Sequence, residues 1–165
     1  MLRRGARVKA KPGVIDILND ALTNELTAIN QYVVHAAMCE NWGFQRLYRR
    51  FRELSIEEMR DTEALIKWLL FLEGVPNMQR LHPVRVGQDV EEALRLGLET
   101  ELGAVETLRA GIVLCTQVED YATRGMLEEM IREEEEHVDW FETQLETIRQ
   151  VGLPYYLSQQ IHASD

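Results

Sequence analysis

Four long stretches of the sequence place apolar residues at helical spacing, and none alternates with a period of two over the length of a strand. That regularity restricts the chain to an all-α fold. The stripe Ile15, Leu18, Leu22, Leu26, Ile29 and Val33 predicts a first helix from Val14 to about Cys39, with Asn41-Trp42-Gly43 punctuating its end. A second helix is predicted from about Phe44 to Glu73, with Gly74 as the left-handed residue past its end and Pro76 as a stop. Asp89, followed three residues later by Glu92, forms a capping-box pattern that opens a third helix reaching about Val118. Asp120 begins a fourth, which runs to about Val151 and is ended by Gly152 and Pro154, leaving a short amphipathic tail through Tyr155, Tyr156, Leu157 and Ile161.

Between Val75 and Gln88 the helical pattern lapses, and Pro76, His82-Pro83 and Gly87 mark one long connection. Fully extended, this segment spans roughly 45 Å at about 3.3 Å per residue, the length of a helix of about 30 residues. It can therefore cross a whole bundle. Two short-loop hairpins joined by one long crossover make a four-helix bundle, and a chain of 165 residues suits one domain over 1–165, with residues 1–12 a flexible N-terminal extension.

The longest uninterrupted apolar run, Trp68 to Leu72, is far short of a bilayer span, and the basic residues before Lys11 are not followed by the apolar core of a secretory signal. No membrane association is expected, and the cytoplasm is the expected compartment. A formal net charge of −10 argues against nucleic acid as a partner and favours cations. Cys39 and Cys115 lie outside any C-x-x-C spacing and read as buried small hydrophobes.

The chemistry lies in an internal repeat. Glu25, Glu58 and Asp61 in the first hairpin recur as Glu101, Glu134 and His137 in the second, each displaced by 76 positions. Glu25 is flanked by Leu22, Leu26 and Ile29, and Glu101 by Leu98, Leu102 and Val105 at the same offsets. A glutamate taken alone is normally exposed; the shared displacement and the matched apolar neighbours place these inside. Residues at i and i+3 share a helix face, so Glu58 with Asp61 and Glu134 with His137 point the same way, and four helices aim six polar side chains at one point. Burying five carboxylates together is prohibitive unless cations compensate. Two divalent metals do so, and mixed carboxylate and imidazole ligands suit iron or manganese.

The segments NELTAINQY, SIEEM, LLFLEGVPNM, LETELGA and EEEEHVDW resemble bacterioferritin over nearly the whole chain from Val14 onward. The Glu plus Glu-x-x-His pattern is also the ligand pattern of ferritin-like di-iron bundles. The resemblance implies a ferritin-like bundle with a short C-terminal fifth helix, a di-iron ferroxidase site at Glu25, Glu58, Asp61, Glu101, Glu134 and His137, and a cage of twenty-four subunits that stores iron. It implies haem b held between subunits by Met59, which lies about 100° of helix rotation from Glu58 and so faces sideways. It also implies a homo-oligomer or a mixed oligomer with a second bacterioferritin subunit, and an electron donor of the ferredoxin type. Tyr32, Trp42 and Trp140 match aromatic positions of the family, as electron relays or as core packing. Glu53 and Glu57 are candidates for guiding iron inward. His35 and His82 read as packing or loop residues, and His162 as exposed.

One position departs from the family pattern. Both pairs should be Glu-x-x-His, yet the first is Glu58-Met59-Arg60-Asp61, and no other histidine lies in the second helix. Two readings follow: a working ferroxidase with an altered first iron site, or a catalytically weak subunit that supplies haem and shell structure beside a competent partner. A rubrerythrin-like or oxygenase-type enzyme is disfavoured, because the chain carries no rubredoxin-like cysteine module and no additional substrate domain.

Overall fold

A computed structural model describes residues 8–162, and the part of the expected N-terminal extension that falls on residues 1–7 lies outside them. Among the described residues the structure is entirely helical: α1 (Val14–Asn41), α2 (Gln45–Phe71), α3 (Val90–Gln117), α4 (Tyr121–Val151) and the short α5 (Leu153–Ser158). α1 packs along α2 and α3 along α4, and contacts between α1 and α3 join the hairpins into a bundle. Among the described residues no helix is long and apolar enough to cross a membrane.

The core is divided into two apolar clusters. One is rich in aromatic rings and includes Tyr32, Phe51, Leu54, Leu94 and Phe141; the other is aliphatic and includes Leu18, Leu22, Leu65, Leu108 and Met130. Along every long helix the passage from one cluster to the other crosses an acidic residue. Glu25 falls between Leu22 and Ala28, Glu58 between Leu54 and Leu65, Glu101 between Leu94 and Leu108, and Glu134 between Met130 and Phe141. The polar site is thus a layer across the middle of the bundle, sealed at both ends by close-packed hydrocarbon.

The 76-residue repeat extends to the helix ends. After α1, Gly43 takes a left-handed conformation (φ 88°) and Phe44 N–H donates to Cys39 O at 2.9 Å; after α3, Glu119 does so (φ 58°) and Asp120 N–H donates to Cys115 O at 2.8 Å. Both cysteines are free and buried, and burial pushes their thiols up, to about 12 for Cys39 and about 11 for Cys115, where Asp120 adds to the effect. They serve as small hydrophobes.

The end of α2 differs from expectation. Gly74 is not the left-handed residue; Glu73 is, at φ 61°, with its N–H on Leu70 O and the Gly74 N–H on Leu69 O. Glycine at 74 instead leaves room for Ile15, whose terminal Cδ1 a Cβ there would approach to 2.5 Å. Half of the capping box at α3 forms: Glu92 N–H donates to Asp89 Oδ1 at 2.8 Å, but the Glu92 carboxylate accepts from Gln88 N–H rather than from Asp89.

The crossover runs parallel to α1 and is held by a row of polar side chains at every fourth position of that helix. Asn19 accepts from Asn77 N–H and donates to Val75 O, Thr23 accepts from the Arg80 guanidinium, Thr27 from His82 N–H, Gln31 from Arg85 N–H, and His35 Nε2 from Gly87 N–H. The Thr23 and Thr27 hydroxyls donate to carbonyls one turn back in α1, which leaves their oxygens to receive the loop. Burial outweighs the pull of Glu92 and lowers His35 to about 4, so it stays neutral as the acceptor this contact requires. α5 docks through buried Tyr156, whose hydroxyl donates to Gln144 at 2.8 Å, while Tyr155 and Ile161 remain exposed.

Candidate metal centre

The structure brings all six sequence-selected ligands to the central layer. Glu25 comes from α1, Glu58 and Asp61 from α2, Glu101 from α3, and Glu134 and His137 from α4. The four glutamates are at most 1% exposed, His137 is 5% exposed, and Asp61 is partly buried. They form two interlocking groups. Glu58, Glu101, Glu134 and His137 make one, Glu25, Glu58, Asp61 and Glu134 the other, and in each group one ligand atom per residue lies within 4.8 Å of all the rest. Glu58 and Glu134 belong to both.

Six atoms of this layer, Glu25 Oε1, both oxygens of Glu58 and of Glu134, and His137 Nδ1, are buried without a hydrogen-bond partner. His137 Nδ1 lies 3.1 Å from Glu58, 3.5 Å from Glu134 and 3.6 Å from Glu101, yet none of these approaches is aligned as a hydrogen bond. Unsatisfied buried groups that converge on common points are the signature of a site built for cations rather than for internal bonding. Hard oxygen donors with one imidazole fit a divalent transition metal.

Electrostatics agree with the geometry. Burial, followed by repulsion from Glu134 and Glu58, holds Glu25 well above the usual carboxylate range; burial and Glu101 do the same to Glu134, and burial and Glu134 raise Glu58. Asp61 is pushed up to about 7 by burial and then by Glu133. Burial opposes the imidazolium of His137, but the carboxylates of Glu101, Glu134 and Glu58 close around it overcome that cost and hold its pKa far above the ordinary range. Without metal, protons supply the positive charge that the carboxylates require.

Two contacts brace the His137 side. The Tyr32 hydroxyl donates to the Glu101 carboxylate. Glu57 Oε2 lies 2.9 Å from His137 Nε2, and Arg50 pairs with Glu57 at 3.3 Å while stacking over the Trp140 ring at 5.4 Å. A carboxylate on Nε2 fixes the ring and directs Nδ1 at the ligand cluster. Sequence reasoning missed this position of Glu57. The signal available was its place directly before a ligand, which turns it toward the seam where α2 meets α4.

The remaining selected residues are dispersed. Met59 is 49% exposed beside buried Glu58, so its thioether faces away from the layer. Glu53 is exposed and pairs with Arg50 at 3.5 Å. Tyr32 and Trp140 pack with Phe51 and Phe141, and Trp42 packs against the same aromatic cluster. His82 reaches Asn24 from the crossover, and His162 is exposed.

Comparison with known proteins agrees with this architecture. The Ferritin-like domain family matches residues 15–151. The chain is 42% identical over 152 residues to a bacterioferritin of Mycobacterium leprae, covering 92% of this chain and 96% of that protein. It is 42% identical over 154 residues to a bacterioferritin of Streptomyces coelicolor, covering 93% and 92%, and 40% identical over 149 residues to one of Brucella melitensis, covering 90% and 92%. With an all-helical bundle, a carboxylate layer and likeness over nearly its full length, the chain belongs to the bacterioferritins of the ferritin-like family.

Proposed function

We propose that this chain stores iron, taking up Fe²⁺ as substrate at the central layer and oxidising it there for deposition inside a closed shell of twenty-four subunits in the cytoplasm. The observation that carries this reading is the sharing of Glu58 and Glu134 between two ligand groups, which offers two cations adjacent positions with bridging carboxylates. Two Fe²⁺ ions give up the two electrons needed to convert dioxygen to hydrogen peroxide, or hydrogen peroxide to water, with two protons consumed in either case. The residues themselves bind, orient and release protons. Glu57 keeps the proton on His137 Nε2, while cation entry displaces the proton at Nδ1 and those on the raised carboxylates. Aerobic addition of Fe²⁺ to purified protein, with the rate and the iron count per shell recorded, tests the reading. Anaerobic titration should find two unequal sites per chain and proton release on filling. Failure to bind two cations, with Fe²⁺ oxidised no faster than in buffer, would overturn it.

The second reading, a shell subunit with weak ferroxidase activity, is favoured by one observation: the Asp61 group holds four carboxylates and no imidazole. Slow oxidation by the pure chain, restored by mixing with a competent subunit, would select it.

Haem b fits Met59. The side chain is half-exposed on α2, and Ile56, one turn earlier, is 40% exposed, an apolar outward patch suited to a porphyrin edge. Met59 from each of two chains would hold the haem between subunits, and haem would supply a one-electron centre that a ferredoxin-type donor could reduce. Met59→Leu should remove haem and leave the shell folded. Full haem in that variant, or only monomers and dimers by light scattering, would remove the corresponding part of the proposal.

A further inference from the structure

The seam where α2 meets α4 carries a chain of contacts that ends on a ligand and begins well outside the central layer. Arg50 Nη1 lies 3.3 Å from Oε1 and 3.4 Å from Oε2 of Glu57, about two helical turns further along α2, and Glu57 Oε2 lies 2.9 Å from His137 Nε2. The Arg50 guanidinium is itself fixed by stacking over the Trp140 ring at 5.4 Å. Trp140 stands one helical turn after His137 on the same face of α4. One helix thus supplies both the ring that anchors Arg50 and the imidazole that receives Glu57.

Exposure explains why an anchor is needed. The Glu57 side chain is 34% exposed, and a lone carboxylate in such a place is drawn to water and loses conformational freedom when held on one partner. Arg50, at 25%, is less exposed than either acidic neighbour, and its contact with the open Glu53 is the longer one, at 3.5 Å. The clamp is also confined to one half of the repeat. The residues at the 76-position displacement from Arg50 and Trp140 are Met126 and Ala64, which offer neither cation nor ring. A general brace of the bundle is expected in both hairpins; this one accompanies the imidazole.

We infer, on the reading of the central layer as a cation site, that Arg50 is a positioning residue: it holds the Glu57 carboxylate on His137 Nε2 and so keeps Nδ1 aimed at the ligands of that half. Shape matters as well as charge, because a planar guanidinium lies flat on an indole while its edge meets a carboxylate, and the compact ammonium of lysine has no such fork.

The test uses the full chain in its assembled, metal-free form. Anaerobic Co²⁺ titration, with visible spectra separating the two sites, should find the His137-side site about fivefold weaker in Arg50→Gln, a smaller loss than the roughly tenfold expected for an immediate partner of a ligand. The Asp61-side site should be unchanged. In the Glu57→Gln background the same substitution should have no further effect, since a residue acting only through Glu57 has nothing left to hold. Arg50→Lys should lose less than Arg50→Gln, and it carries the same comparisons if Arg50→Gln fails to assemble. A readout free of metal comes from magic-angle-spinning NMR of sedimented, ¹⁵N-histidine-labelled protein, in which exchange of the His137 Nε2 proton with water should quicken several-fold when Arg50 is replaced. A parent that takes up no Co²⁺ in the layer overturns the cation reading and this inference with it. If the parent binds normally, the role of Arg50 alone is overturned by equal loss at both sites, by a full effect that persists without Glu57, or by an unmoved Nε2 proton.

Discussion

The two halves of the candidate metal centre grow from one repeated pattern and end up in different physical states. On the His137 side, Glu101 receives the Tyr32 hydroxyl and the imidazole is steadied by Glu57. On the Asp61 side, Glu25 keeps an oxygen with no partner, and the residue 76 positions after Tyr32 is Leu108, which has no hydroxyl to give. The residue 76 positions after Glu57 is Glu133. Glu57 supports a histidine, whereas Glu133 faces Asp61 and raises its pKa by repulsion. A bracing carboxylate becomes a repelling one when the ring it would hold is replaced by a second acid.

Removing a shared ligand should erase the difference altogether. Glu134→Ala takes a bridging carboxylate from both groups, and we expect Fe²⁺ oxidation to fall by more than about 100-fold, beyond the range seen for outer partners of metal ligands. Stopped-flow absorbance would measure it, and a variant retaining most of the fast phase would refute the bridging role. Glu57→Gln should act on one half only, weakening the His137-side metal roughly tenfold while leaving the other site's affinity in place; anaerobic Co²⁺ titration followed by visible spectra resolves the two. Equal loss at both sites would mean that Glu57 acts through overall charge.

Asp61→His should level the halves from the other direction. The new imidazole gains Glu133 as a partner and the site loses one acid, so oxidation should quicken several-fold, and adding Glu133→Gln should cancel part of the gain. An unchanged rate with both metals bound would show that Asp61 does not limit turnover. The smallest effect is one of pH on the metal-free protein. Asp61 rises from an ordinary 3.8 to about 7 on folding, so between those values the folded state holds more protons than the unfolded one, and stability falls as pH rises through that window. Asp61→Asn should flatten that slope in thermal melts by a few degrees; a slope that persists unchanged would assign the effect to the buried glutamates, which are shifted in the same direction.

The bundle was legible because apolar spacing reports helices directly, and the length of the Val75–Gln88 segment demands a crossover. The central layer was legible because a fixed displacement is hard to produce by chance. What escaped was set by contacts between elements. Glu57 sits one residue from a ligand, and only the meeting of α2 with α4 brings it to His137. Glu73 takes the left-handed position, and Gly74 beside it leaves room for Ile15 of another helix. The row Asn19, Thr23, Thr27, Gln31 and His35 repeats every four residues, but polar residues beside an apolar stripe read as a solvated face until the loop is laid on them.

That row has a consequence for how the chain could be divided. The crossover gives its backbone to α1 and turns Val75, Met78, Leu81, Val84 and Val86 outward, so its attachment rests on directional bonds distributed over roughly 24 Å of helix at about 1.5 Å per residue. A cut between Val84 and Arg85 would leave bonded loop segments on both sides of the break. The two hairpins should then reassociate when made as separate polypeptides, the severed ends finding their places by recognition rather than by tethering, at the cost of the high local concentration a continuous chain provides.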